Sequence, residues 1–508
     1  MFLAIAAAQQ PATKRIPVTE NLHGVTITDP YRWLEDQNSP ETRAWVEAQM
    51  HYTETALGKI PQRAQIAQRL AEILKVDAMK PPVVRGGRYF IQKRPANQNQ
   101  YILYFRQSGN SPDTVLLDPN VLTPDHSSSF ELMDVSRDGK LIAYGLRQGG
   151  QDETKVAFRN ADTRQDLTEV LPAALYFSVA IKPDRSGAYY MKRQEKGPRL
   201  YYHAMGTEAG RDRIIFGEQF GPTQLGGCDI SSNGRWLFCQ ILTGSAGDKV
   251  EIYAQDLSNG GPMTPVVTGL DAHFEVEVGG DRMYLLTTWK APNGRILAVD
   301  LAHPARENWK EVIPERKGVL SAISVAGGKL SAIWLDDVHS HVEVFDQDGK
   351  FVRELKLPSL GVAEGPFGRW ESDEAFYTFS SIGQPKSIFR YSMSSGSQSL
   401  WFQEKVPFDS SSIEVKQVWY SSKDGTKVPM FIASRKGIKR DGSNPVLLTA
   451  YGGFNVSELP ISSATSLAWL DRGGVYALAN LRGGGEFGEA WHKAGMLDKK
   501  QNVFDDFI

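Results

Sequence analysis

The sequence predicts a β plus α/β protein: a seven-bladed β-propeller over about residues 78–405, bracketed by a helical segment at 16–77 and by the first part of an open α/β sheet at 406–508. Three observations predict it. A turn followed by a tightly apolar strand recurs seven times, residues 30–75 carry apolar side chains at helical spacing, and two apolar runs near the end each terminate in a glycine-rich loop.

The repeat is the strongest of these signals. It reads GRYFI at Gly87, GKLIAY at Gly139, GAYYM at Gly187, GRWLFC at Gly234, GDRMYLL at Gly280, GKLSAI at Gly328 and DEAFYT at Asp373, with successive spacings of 52, 48, 47, 46, 48 and 45 residues. After each comes a polar stretch and another strand: YILYF, KVAF, LYYH, VEIY, RILAVD, HVEVF and SIFRY. A unit of this length made of short strands is a propeller blade, because each small sheet buries its faces only against its neighbours and seven close into a ring.

The flanks read differently. TRAWVEAQMHYTETAL and IAQRLAEIL are helical in pattern and stop before Asp77 and the Pro81-Pro82 break. After about Val406, IEVKQVWYSS and KVPMFIAS form a hairpin around Lys423-Asp424-Gly425. PVLLTAYGG and GGVYALANLRGGG then read as buried strands, each followed by a loop of the kind that forms sites at the carboxyl ends of α/β strands. Residues 1–15 start MFLAIAAAQQ, read either as the tail of an export signal cut near Ala6-Ala7-Ala8 or as a disordered terminus. The first reading implies a periplasmic or exported protein, the second a cytoplasmic one.

Composition narrows the function classes. A net charge of -2 spread along 508 residues offers no basic patch for nucleic acid and no polybasic membrane anchor, and no apolar run approaches the roughly 18 residues that span a bilayer. Cys228 and Cys239 are too few for a disulfide framework; they flank a turn and are expected as packed free thiols rather than a bridge. His339-Ser-His341 with Asp336 and Asp337 has no third ligand spaced to join it, so a solvated blade loop is expected there instead of a metal site. Asp346-Gln-Asp-Gly349 reads as a hairpin turn, not a calcium loop.

The chemistry concentrates in the last sixty residues. In YGGFN (451–455), paired glycines after a strand allow close backbone approach, and a tyrosine hydroxyl can donate to developing negative charge. LRGGGEFGEAWHKAG (481–495) contains Gly483-x-Gly485-x-x-Gly488, with Asp505 beyond, a formal dinucleotide fingerprint. Trp491 and His492 stand where such a unit packs small residues, which argues against it; Arg482 and Glu486 are expected to pin the loop as an ion pair.

DPYRWLED (29–36), the seven blades, YGGFN, RGGGEFG, WHKAG and QNVFDDF together resemble the prolyl oligopeptidase family of serine peptidases, in its prolyl-cleaving branch, from about Ile16 to Ile508. The resemblance implies a propeller inserted into an α/β-hydrolase domain built from both chain ends, here incomplete. It implies that Tyr451 donates to the oxyanion, that Phe454 lines the proline-accepting pocket, and that Phe177 of the third blade is the propeller aromatic that reaches substrate. It implies hydrolysis of short peptides on the carboxyl side of proline, with no metal or organic cofactor. The only Gly-x-Ser, Gly109-Asn-Ser111, lacks the closing glycine of a nucleophile elbow and lies in the first blade, so serine, aspartate and histidine of the triad have no candidates here. The 508 residues alone are therefore expected to be inactive. The alternatives are a propeller scaffold for protein contacts, which YGGFN and RGGGEFG disfavour, and a nucleotide-binding protein, which rests on the glycine match alone.

Overall fold

A computed structural model describes residues 10–508 except Ser245, Ala246 and Asp248, so the expected signal segment lies largely outside the described residues. Two compact units are present, 1–72 and 73–508. The first holds an antiparallel hairpin, Val18–Leu22 with Val25–Asp29, turning at His23 and Gly24, and the helix α1 (Pro40–Gly58). Ser39 caps α1 by accepting from the Thr42 amide at 3.1 Å, with Pro40 in the first turn where its missing N–H is harmless. The helix α2 (Arg63–Leu74) follows. The hairpin was not legible as such, although VTENLHGVTITD alternates as a strand pair should.

The second unit contains seven sheets in succession, at 78–117, 128–174, 178–216, 224–267, 274–313, 319–354 and 362–403. Six have four antiparallel strands in chain order, and each repeated motif is the second strand of its blade. In blade 1 the innermost strand is broken into Ala78–Met79 and Val83–Arg85, both paired with Arg88–Arg94. Pro81 and Pro82 fall in the break, because proline cannot donate to the ladder. The ring closes between blades 1 and 7: Tyr89 stacks on Trp401 with centroids 6.0 Å apart and donates to Glu374 at 2.6 Å, while Met79, Ile91, Phe376 and Ile388 complete that core. Cys228 and Cys239 lie directly opposite each other in blade 4, buried and unbridged, and burial pushes the Cys228 thiol up to about 12.

The chain then forms a four-stranded sheet of β1 (Ile413–Ser421), β2 (Lys427–Arg435), β3 (Val446–Thr449) and β4 (Val475–Ala479), in the order β1-β2-β4-β3. β3 and β4 are parallel and are joined through α3 (Ala464–Asp471), whose N-terminus is closed by a Ser463–Ser466 capping box. Two blade hairpins plug into this sheet. Val338 and Ile382, both essentially inaccessible, pack with Ile413, Phe431, Leu470 and Leu478. This corrects the expected solvated loop around His339-Ser-His341 only at Val338 and Ser340, which are buried, since Asp336 and Asp337 stay exposed. Asp337 and Val338 form a two-residue turn with positive φ at both positions; Val338 is buried, Asp337 stays exposed, and Gln417 donates to the Asp337 carbonyl at 2.9 Å. His341 instead contacts Glu343 and Glu354, and no metal-binding group occurs among the described residues. Asp346 caps its hairpin turn by accepting from the Asp348 and Lys350 amides. Among the described residues, no helix is long and apolar enough to cross a membrane.

Candidate active site

Side-by-side parallel strands bring two glycine-rich loops to one edge of the sheet, Tyr451 to Asn455 after β3 and Leu481 to Gly488 after β4. The loops interlock through their glycines. A Cβ on Gly452 would sit 2.5 Å from Val503 Cγ1 and 2.9 Å from Leu481 Cβ, and one on Gly483 would sit 2.6 Å from the Gly452 carbonyl oxygen. The Asn455 amide donates to the Gly483 carbonyl at 3.1 Å, and the Gly483 amide to the Trp491 carbonyl at 3.0 Å. WHKAG locks this from behind: Trp491 Nε1 donates to the Leu481 carbonyl at 3.0 Å, and His492 Nδ1 to the Gly483 carbonyl at 2.9 Å.

The motif QNVFDDF forms the helix α5 (Gln501–Phe507) and supplies the third support, after the short helix α4 (Glu489–Lys493). Lys500 Nζ donates to the Gly452 carbonyl at 2.7 Å. Buried Asp506 accepts from Arg482 Nε and Nη2 and from the Arg482 amide, the last at 3.0 Å. Arg482 Nη1 also reaches Asp424 at 2.6 Å, and this guanidinium holds the Asp424 carboxyl well below the usual range. The expected Arg482–Glu486 pair is therefore not formed. Glu486 turns the other way, accepting from the Glu458 amide at 2.8 Å and from Asn480 Nδ2 at 3.4 Å. Burial pushes its carboxyl up to about 7.

What this framework holds out is the pair Tyr451 and Phe454. Their rings lie 6.2 Å apart at 32°, and both are about half exposed. Phe454 and Asn455 both adopt positive φ, 54° and 58°. Asparagine tolerates that region; a phenylalanine there costs on the order of 1–3 kcal/mol, and such strain persists only where the surroundings impose it. Phe454 and Asn455 line a cavity of about 230 Å³ shared with blades 5 and 6. Phe177 lies elsewhere. It precedes the inner strand of blade 3 (Ser178–Ile181), stacks on Tyr190 at 5.6 Å, and lines a cavity of about 340 Å³ in the propeller channel with Arg85, Asp134, Cys228 and Asp229. Phe454 and Phe177 thus line two different cavities, while Tyr451 lines neither and stands beside Phe454.

Gly483, Gly485 and Gly488 are occupied by protein backbone, and α4 has only five residues, so the loop does not open a dinucleotide-binding helix. Gly109-Asn-Ser111 lies between two strands of blade 1, with the Ser108 and Ser111 hydroxyls 2.9 Å apart. Sequence reasoning missed Asp506 and Lys500 as the partners that fix the loops. Their only trace was the recurrence of charge in the terminal segment.

Comparison with known proteins agrees with this architecture. Residues 11–404 match the family described as prolyl oligopeptidase, N-terminal beta-propeller domain, and residues 461–508 match the prolyl oligopeptidase family. A prolyl endopeptidase of Elizabethkingia meningoseptica is 34% identical over 523 residues, covering 100% of this chain and 74% of that protein. A solved structure from a study of two prolyl endopeptidases and their inter-domain dynamics superposes with a TM-score of 0.94 at 40% identity, covering 98% of this chain and 75% of that one. Prolyl oligopeptidase B from Galerina marginata, bound to a 35mer substrate, superposes with a TM-score of 0.90 at 27% identity, covering 99% of this chain and 76% of that one. With the interlocked loops, the ring of seven blades and these matches in one order along the sequence, the chain belongs to the prolyl oligopeptidase family.

Proposed function

We propose that the chain provides the oxyanion donor and the proline-accepting wall of a serine peptidase site that cleaves short peptides on the carboxyl side of proline. The observation that carries this is the pair Tyr451 and Phe454, half exposed at the carboxyl ends of parallel strands and braced by three interlocking motifs. In acyl transfer a serine attacks the carbonyl and a histidine moves the proton, while preorganised donors hold the oxyanion. Tyr451 is the side-chain donor of that set. Phe454 offers a flat apolar wall to a pyrrolidine ring, and Phe177 meets the peptide from the propeller side. The closed ring over the sheet admits peptides and excludes folded proteins.

The experiment is a chimera in which these 508 residues replace the matching part of the Elizabethkingia enzyme, which supplies the remainder. The chimera should cleave a proline-containing fluorogenic peptide, and Tyr451→Phe should lower kcat by about 10²–10³-fold with little change in KM. The 508 residues alone should show no turnover. Turnover by that chain alone that disappears with Tyr451→Phe would place the nucleophile within it and contradict the assignment.

A further inference from the structure

Two glycines in a row follow Tyr451, and a glycine pair fixes no direction by itself. Gly452 sits at φ 66°, and with no side chain on either residue the peptide joining it to Gly453 is held only by what it bonds to. Tyr451 depends on that peptide. Its ring is half exposed, and its Cε1 lies 4.0 Å from the point that a Cβ on Gly453 would occupy. Lys500 Nζ lies 3.5 Å from the same point and donates to the Gly452 carbonyl at 2.7 Å. The ammonium and the phenol ring thus flank one glycine, and the ammonium holds the peptide that leads into it.

Lys500 is itself firmly placed. Its amide donates to the Leu497 carbonyl and its carbonyl accepts from the Val503 amide, each at 3.1 Å, which ties down the start of α5. Val503 is buried against Gly452 with Val428, Ala479 and Leu481. The two acids of α5 are engaged elsewhere, Asp505 with Gln501 and Asp506 with Arg482. Among the described residues no carboxylate comes within 4.0 Å of Lys500 Nζ. A half-buried ammonium without a counter-ion adds little to stability, because one carbonyl returns only part of the hydration the charge gave up. We propose that Lys500 is a positioning residue for the oxyanion donor, fixing the peptide between Gly452 and Gly453 so that the Tyr451 hydroxyl points at the developing negative charge. Lys500 has this role only if Tyr451 is that donor. A misaimed donor loses catalysis without losing substrate, because its hydrogen bond is made in the transition state. Misplacement by about 1 Å is worth up to about 10²-fold in rate.

A double-mutant cycle in the chimera tests this, with rates expressed per active site titrated by a serine-directed covalent inhibitor, so that unfolded protein does not count. Lys500→Met should lower kcat by about 10-fold or more and leave KM within about twofold. Lys500→Arg, which keeps a donor for the carbonyl, should recover part of the loss. In the Tyr451→Phe background Lys500→Met should cost little, because no hydroxyl is left to aim. Should Lys500→Met not fold, Lys500→Gln, one bond too short to hold the carbonyl at the same point, takes its place in the cycle. An unchanged kcat in the Lys500 variant would overturn the role. So would an equal loss in both backgrounds, which would mark a brace of the whole loop that does not act through Tyr451. Full kcat in Tyr451→Phe with wild-type Lys500 would instead remove Tyr451 as the donor, and the role of Lys500 with it.

Discussion

Glu486 and Arg482 lie four residues apart in one loop, close enough that pairing is the natural reading, and the structure sends them to different partners. Arg482 is claimed by Asp506, twenty-four positions later, and by Asp424 across the β1–β2 turn. Glu486 is left in a pocket of backbone amide and asparagine. The motif was legible in the sequence, but its wiring was not, because the deciding carboxylate arrives on a helix whose packing no local pattern encodes. The raised Glu486 pKa gives a pH dependence with a definite sign. A folded carboxyl at about 7 against an ordinary 4.5 binds more protons than the unfolded chain between those values, so stability falls as pH rises through that window. Glu486→Gln carries no such penalty. It should be more stable than wild type above pH about 7, by about 1–3 kcal/mol, and indistinguishable near pH about 4.5. Thermal melts at the two pH values check this.

Among elements, the second and third strands of each blade were readable because burial on both faces leaves little room for polar residues. Their inner and outer neighbours were not. Outer strands such as Arg213–Phe216 and Phe351–Glu354 are short and largely exposed, and inner strands carry charges into the channel, as Asp229 and Glu277 do. Burial pushes the Glu277 carboxyl up to about 8, a cost that apolar patterning cannot foresee. The parallel strands show a related departure. PVLLTA reads as buried on both faces, yet β3 lies at the sheet edge with Val446 58% and Leu448 40% exposed. An unpaired apolar edge is a template for another chain. The 508-residue chain should therefore self-associate through β3, with 406–508 more protease-sensitive than the blades, and Leu448→Lys should shift it toward monomer in sedimentation. A monodisperse wild type with 406–508 protected would show that this sheet is self-sufficient.

For the whole molecule, the ring of seven blades is held by local repetition closed once, through Tyr89, Trp401 and their neighbours, and that is why its count could be read from spacing alone. The sheet docks on the ring through pegs, Val338 and Ile382, whose role no repeat announces, since a hairpin tip in one blade looks like any other until something covers it. Between the ring and the sheet lie the two loops that present Tyr451 and Phe454, the two side chains proposed to form a proline-peptide site. The most direct measurement compares kcat/KM for peptides with proline or alanine before the scissile bond, using the chimera and its Phe454→Ala variant. The chimera should prefer proline strongly, a preference cut by about 10-fold or more when the ring is removed, a loss on the order of 1–3 kcal/mol of pocket contact. A folded, active chimera whose proline preference is unchanged by Phe454→Ala would contradict it.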